Sequence, residues 1–259
     1  MSASPRLYLV ARPTFDVDAF LSFLESEKAI WLRTDDVSDS EEIVEAAGRI
    51  CYMSFGERQS PRTNPEYLQN LVRLGHESVL EHVSWSFVLA GVSRAFTHQL
   101  VRHRVGFSFS QLSQQYRDQG DVEPVRPAAV DLDERVAAVW EDAMSTTRAA
   151  YREILSFLET DDGLPLPAEK RERVRAIRSA ARSVLPEATE SVIFMTVNAR
   201  AARHFLNVRG AIRGDEEMRV VSAAMLSMLA REAPGLFSDF SLEVADDGLP
   251  LVAQRPFGG

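Results

Sequence analysis

Residues 99–117, Gln-Leu-Val-Arg-His-Arg-Val-Gly-Phe-Ser-Phe-Ser-Gln-Leu-Ser-Gln-Gln-Tyr-Arg, carry the side chains best suited to chemistry. Three consecutive groups that can be cationic, Arg102, His103 and Arg104, open the polar part. Behind them come Ser108, Ser110, Gln111, Ser113, Gln114 and Gln115, interleaved with Phe107, Phe109, Leu112 and Tyr116. Arginine holds phosphate or carboxylate through a planar fork of donors. Hydroxyls and amides can fix the polar edges of a base or sugar, and aromatic rings supply a flat apolar wall. The plainer alternative is a basic surface turn ahead of a polar loop, because charge runs usually face solvent.

The elements around this stretch must position it. Val92–Arg102 has helical period, with Arg94, His98 and Arg102 four apart on one face and Gln99 adjoining Arg102. Gln99 and Arg102 then point from the helix end into a Ser/Gln loop. Upstream, Leu7–Ala11 reads as a strand stopped by Pro13, and Asp18–Glu25 as a short helix. Ser38-Asp-Ser-Glu41 is a capping-box pattern whose helix runs to about Ile50. Cys51–Thr63 is turn-rich, and Asn64-Pro65-Glu66 caps a helix stopped by Gly75. Val83, Trp85, Phe87 and Leu89 alternate as one face of a half-buried strand.

Downstream, Asp118–Asp131 is irregular and Arg135–Glu159 is a long amphipathic helix with Val136, Val139, Trp140, Tyr151 and Ile154 on its apolar stripe. Asp161–Pro167 connects it to a basic helix, Glu169–Ser183, in which Arg182 stands beside Leu185-Pro186. Ser191–Val197 is β-branched and apolar, and Asn198-Ala-Arg200 opens a helix, Ala201–Arg209, with His204 and Phe205 inside it. Asp215 caps another, lined by Met218, Val221, Met225, Met228 and Leu229 and stopped by Pro234-Gly235. Residues 241–259 are weakly patterned and read as a tail. The expected class is α+β with helices in the majority.

Composition bounds the function. A chain of 259 residues with 45% hydrophobic content can bury one large core or two small ones. No apolar run approaches the ~20 residues that span a bilayer, and Met1–Pro5 lacks the basic and apolar regions of a signal peptide. The single cysteine, Cys51, fits a reducing cytoplasm and is expected to be a small buried hydrophobe. The formal charge of −9 argues against a nucleic-acid binder, though a small anion needs only a local basic pocket. His76–His82 resembles a zinc-protease motif, but the position four after His76 is Leu80, so no metal site is expected. Dinucleotide, phosphate-loop and nucleophile-elbow signatures are absent, which leaves the hard chemistry to a cofactor.

Four linked segments resemble the flavin-dependent thymidylate synthases. Gln99-Leu-Val-Arg102-His103-Arg104 with Ser108, Gln111, Ser113 and Tyr116 is similar to the family's Arg-His-Arg, Ser, Ser-x-Arg-Tyr signature. Gly75–His82, Ala181-Arg182-Ser-Val-Leu185-Pro186, and Asn198-Ala-Arg200 through Phe205-Leu-Asn-Val-Arg209 resemble three further motifs, in order. The resemblance covers roughly residues 40–240 and implies one domain over residues 1–259, in the family's fold, helix-rich with a small antiparallel sheet. It implies methylation at C5 of a uridine nucleotide, dUMP to dTMP, with FAD, NADPH and methylenetetrahydrofolate. It also implies a homotetramer whose active sites are built between subunits, without nucleic-acid or membrane partners.

Carried over, the resemblance gives Ser78, Arg102, His103, Arg104, Asn198, Arg200 and His204 to the flavin, and Gln111 to both flavin and nucleotide. Gln99, Arg102, Ser113, Gln114 and Arg182 would hold the nucleotide, chiefly its phosphate. Arg209 would lie against the pyrimidine edge and favour ionisation at N3, which makes C5 the better nucleophile. The sequence departs from the pattern twice. One extra residue separates Arg104 from Ser108, and the signature's nucleotide-binding Arg before the tyrosine is Gln115. Arg117 is the nearest replacement cation. Two alternatives follow: the same chemistry on UMP, as in nucleoside-antibiotic pathways, or a non-catalytic paralogue that binds nucleotide or flavin.

Overall fold

The computed structural model describes residues 4–161 and 163–255. Residues 1–3 of the segment weighed for a leader, residue 162 of the interhelical connection and residues 256–259 of the expected tail lie outside it. The elements run β1 (Arg6–Ala11), α1 (Val17–Ser26), α2 (Asp39–Ile50), α3 (Asn64–Arg73), β2 (Ser84–Ser93), α4 (Arg94–Leu100) and β3 (Phe107–Gln111). They continue with α5 (Glu134–Thr160), α6 (Lys170–Ala181), β4 (Glu190–Asn198), α7 (Ala199–Arg209), α8 (Glu216–Glu232), α9 (Pro234–Phe237), β5 (Phe240–Val244) and β6 (Pro250–Gln254). One sheet has the order β1-β2-β4-β3, and β5 pairs antiparallel with β6, Phe240 opposite Gln254. The class is α+β with helices in the majority.

The described residues divide into two compact units. Residues 4–6, 89–102 and 109–194 make the first, and residues 7–88, 103–108 and 195–255 the second. In the first, α5 and α6 pack around Tyr151, Leu155, Ile177 and Ala181. The 27-residue α5 is ~40 Å long and the 12-residue α6 ~18 Å, so α6 covers only part of its partner. Val136 and Val139, expected on the inner stripe, are accordingly exposed.

In the second unit, Leu24, Trp31, Ala46 and Phe55 form a cluster against which Phe15 and Phe20 pack. The predicted capping box is present: Ser38 accepts from Glu41 N, and the Glu41 carboxylate accepts from Ser38 N. Asn64 is not the cap of α3. Thr63 holds that place, while the buried Asn64 amide donates to Glu41 O at 3.2 Å and Glu45 Oε2 at 2.7 Å. Gly75 follows α3 with φ +71°, a conformation that suits glycine.

Five further expectations are corrected. The strand β2 continues through Val92 to Ser93, whose hydroxyl caps the seven-residue α4 by accepting from Phe96 N at 2.9 Å. Arg102 lies in the turn after α4 and shares no helical face with Arg94 and His98. The supposed loop opens with strand β3, in which Phe107, Phe109 and Gln111 are half-buried and Ser108 and Ser110 exposed. Residues 241–254 are the β5–β6 hairpin rather than a tail, anchored by buried Leu251 and Val252 and by Val252 N donating to Gly210 O at 3.0 Å. Cys51 is exposed, because it sits past the last residue of α2 where the chain turns outward.

Candidate functional site

The first unit gathers guanidinium groups and amides. Arg94 opens α4, its backbone N–H donating to Thr189 O at 3.0 Å and its Nη1 to Leu112 O at 3.4 Å. Burial lowers the Arg94 pKa from its ordinary value, and the charge of Arg182 lowers it further, against a smaller opposing effect of Glu187. Arg182 follows directly on the C-terminal end of α6, where the helix dipole favours a cation. Among the described residues Arg182 has no carboxylate partner, and Glu187 is already paired with His98 at 3.2 Å. Two neighbouring guanidiniums that repel each other, one of them half-buried, favour an anion brought in from outside.

Gln111 is held in one orientation. Thr97 gives its hydroxyl proton to Arg94 O at 3.0 Å, so its oxygen accepts from Gln111 Nε2 at 2.7 Å. Nε2 also donates to Ser191 Oγ at 3.1 Å. Both amide protons are thereby used, and Gln111 offers a ligand only its carbonyl oxygen. Ser113 Oγ accepts from Gln115 N at 3.2 Å, and Gln114 is buried. The Gln115 side chain donates to Ser179 Oγ on α6 at 3.0 Å. Next to it, Tyr116 Oη accepts from Arg175 Nη2 at 2.6 Å, and the bonds from Arg175 and Arg171 lower its pKa. Gln99, Arg102 and Arg117 are exposed.

The second unit builds its groups on the start of α7. Asn198 caps it by accepting from Ala201 N at 2.8 Å. Ala199 N donates to Val83 O at 2.9 Å and Asn198 N to Gly106 O at 3.0 Å. Gly106 has φ +73°, and a Cβ there would lie 2.6 Å from Ala201 Cβ. Only glycine lets the Arg104–Gly106 turn come this close to α7. Since the helix's leading amides are largely used, an anion here would meet side chains: exposed Arg104, the Asn198 amide protons, and Arg200. The Arg200 guanidinium is held by Glu81 and, at 3.5 Å, by Glu77, and the bond to Glu81 raises its pKa. Ser78 is exposed in the short 3-10 turn Glu77–His82 that carries both carboxylates, and His204 is exposed on α7.

His103 accepts a hydrogen bond from Arg209 Nε at 3.0 Å through its Nε2. Its ring lies 5.2 Å from Phe205, 5.8 Å from Phe107 and 6.3 Å from His204, centroid to centroid. Burial lowers the His103 pKa, and the charges of Arg209 and His204 add to that. Among the described residues no group of three or more His, Cys, Asp or Glu stands together as a metal ion requires, and no helix is long and apolar enough to cross a membrane.

The first unit thus brings together Gln111, Ser113, Gln114, Gln115 and Arg182, with Gln99 and Arg102 on the same unit. The second brings together His103, Arg104, Asn198, Arg200, His204 and Arg209, with Ser78 on the turn that holds Arg200. Sequence reasoning missed Arg94 as a cation beside Arg182, Thr97 and Ser191 as the acceptors that hold Gln111, and Ser179 as the acceptor that holds Gln115. Arg94 carried a signal, the cap at Ser93. The three hydroxyls carried none, because they meet their amides only across long sequence separations.

Comparison with known proteins adds family evidence. The family model described as "Thymidylate synthase complementing protein" matches residues 34–235. A flavin-dependent thymidylate synthase of Corynebacterium efficiens is 40% identical over 89% of this chain and 91% of its own. One from Mycobacterium sp. strain JLS is 39% identical over 98% of each chain. One from Mycobacteroides abscessus is 43% identical over 84% of this chain and 86% of its own.

Proposed function

The chain belongs to the thymidylate synthase complementing protein family and is an enzyme of the thymidylate synthase type, and we propose that it methylates C5 of dUMP to give dTMP. In this reading FAD is the cofactor, NADPH the reductant and methylenetetrahydrofolate the one-carbon donor. The protein works as a cytoplasmic homotetramer. The observation that carries the nucleotide assignment is the placing of two cations, Arg94 and Arg182, in one unit with the Gln111–Gln115 segment, which Arg94 Nη1 reaches at Leu112 O; such a grouping suits a phosphate.

The residues fit FAD as well. Its diphosphate is a dianion, and the second unit presents Arg104, which has no carboxylate partner among the described residues, Arg200 oriented by two carboxylates, and the Asn198 amide. His103, Arg104, Asn198, Arg200, His204 and Ser78 would hold it, and the family resemblance also gives Arg102 and Gln111 to the flavin. When bound and reduced, the flavin supplies the electrons of the reaction.

The chain's own groups do the rest. Arg182 and Arg94 would take the nucleotide phosphate, joined by Gln99 and Arg102. Ser113 and Gln114 would orient it. Gln111, fixed as an acceptor, must face a donor such as a hydroxyl or a ring N–H. Arg209 would stand at the pyrimidine edge, where its positive charge stabilises an ionised N3 and strengthens C5 as a nucleophile.

A second reading rests on Gln115. Its amide is bonded to Ser179, where the family signature has a cationic nucleotide contact. A changed nucleotide, UMP, is consistent with that exchange. The test is anaerobic turnover of the FAD-loaded protein with NADPH and methylenetetrahydrofolate, offering dUMP and UMP in parallel and weighing the product. Methylated dUMP is the expected product. Product from UMP alone favours the second reading, and bound flavin without product from either marks a non-catalytic paralogue.

A further inference from the structure

We propose that a hollow at the start of α6 takes the 2′-phosphoadenosine end of the reductant, with Lys170 and Arg171 on the phosphate and Tyr116 against the base. The inference rests on the reading of NADPH as the reductant. It gives that molecule a site apart from those of the flavin and the uridine nucleotide.

The hollow has a volume of about 370 Å³ and is lined by Tyr116, Glu169, Lys170, Arg171 and Val174, all in the first unit. That size suits part of a small molecule. Lys170 and Arg171 are exposed, and among the described residues neither has a carboxylate partner. Glu169, the one carboxylate in the lining, is turned to the helix: its two oxygens accept from Arg171 N and Glu172 N, each at 2.9 Å. A guanidinium fork beside an ammonium point charge suits a phosphate monoester. The Tyr116 ring, 51% exposed, and Val174 add the apolar wall that a base uses and inorganic phosphate does not. Tyr116 is fixed in place, because its Oη accepts from Arg175 Nη2 at 2.6 Å. The Arg171 and Arg175 guanidiniums stand 5.9 and 5.8 Å from its ring centroid.

Position along α6 favours the reductant over the uridine nucleotide. Arg171, Arg175, Arg178 and Arg182 are successively four, three and four residues apart, so they share one helical face. Arg182, the group assigned to the uridine phosphate, then lies ~16 Å along the axis from Arg171, too far for both to hold one phosphate. Arg175 and Arg178 carry positive charge along the way, as an elongated polyanion requires. A larger hollow of about 440 Å³ beside α5 lacks this character, since its arginines are each paired with carboxylates. Arg126 has Asp131 and Glu141, Arg148 has Glu123, and Arg152 has Asp121.

The first test is binding without turnover. The protein is loaded with FAD and saturated with dUMP, so that neither of those sites competes for the probe. Calorimetric titration with adenosine 2′,5′-bisphosphate should show binding to the wild type, weakened at least about tenfold in the Lys170→Ala/Arg171→Ala double variant. Both side chains are exposed, so the variant should fold as the wild type does. Adenosine 5′-monophosphate and inorganic phosphate should each bind at least about tenfold more weakly than the bisphosphate. Inorganic phosphate that binds as well as the bisphosphate overturns the proposal, as does a double variant that binds the bisphosphate like wild type.

The second test follows anaerobic reduction of the bound flavin by its absorbance, which does not depend on methylation. The double variant should raise the KM for NADPH about tenfold, keep the rate at saturation within about twofold, and leave the KM for NADH unchanged. NADPH kinetics unmoved by the double variant overturn the site while leaving NADPH as the reductant. A wild type whose flavin NADPH does not reduce overturns that reading and this occupant with it.

Discussion

Arg94 and Arg182 in the first unit and Arg200, Arg203 and Arg209 in the second are the same side chain set to different work. The first pair repel each other, and Arg182 has no carboxylate partner among the described residues. In the second unit these three guanidiniums each have a fixed partner. Arg200 has Glu81 and Glu77, Arg209 has His103, and Arg203 makes a buried bidentate pair with Asp239 at 2.7 Å. An arginine without a partner is suited to catching an anion from solution, whereas a partnered one is suited to holding a geometry. That contrast separates grip from aim. We infer that the first unit chiefly grips the nucleotide phosphate, and the second aims a guanidinium and seats the flavin.

The contrast can be broken at its largest effect first. Arg209→Ala should cut turnover by about 10²–10³-fold, the usual cost of removing one preorganised electrostatic group, while flavin content stays near wild type. Unchanged turnover removes Arg209 from the chemistry. Arg182→Ala should weaken nucleotide binding by roughly 10–150-fold, the equivalent of ~1.5–3 kcal/mol for charge-assisted hydrogen bonds, as read by calorimetric titration with dUMP. Loss of flavin instead of nucleotide in that variant would reverse the assignment of grip and aim.

Smaller effects sharpen it. Gln115→Arg restores the signature cation and should tighten nucleotide binding by about tenfold. A change in the ratio of dUMP to UMP turnover in that variant would place specificity at this position. The second unit also carries a purely structural control. Asp247 is held well below the ordinary carboxylate range by the Arg219 guanidinium. Its contribution to stability is therefore present above that range and lost as pH falls through the folded-state value. Asp247→Asn should lower the melting temperature at neutral pH and flatten its acid dependence, with flavin and nucleotide binding unchanged.

Much of this was legible in the sequence because the signals were local. The capping box at Ser38, the alternation of Val83, Trp85, Phe87 and Leu89, and the Asn198 cap each occupy a few consecutive residues, and each appears where expected. The strand β3 was missed although Phe107, Ser108, Phe109 and Ser110 alternate, because the polar residues after it suggested a loop. The β5–β6 hairpin was missed because Asp246–Gly248 makes a turn between strands too short to show a period. Arg94 and Arg182 are 88 positions apart in sequence (182 − 94), and the Arg209–His103 bond spans 106. Proximities of that kind follow from tertiary packing alone.

The division between grip and aim is tested most directly by measuring flavin retention and dUMP affinity side by side in Arg182→Ala and Arg104→Ala. The account predicts that Arg182→Ala keeps its flavin and loses nucleotide affinity, and that Arg104→Ala sheds flavin while a flavin-saturated sample still binds dUMP. The same loss of both ligands in both variants would contradict it.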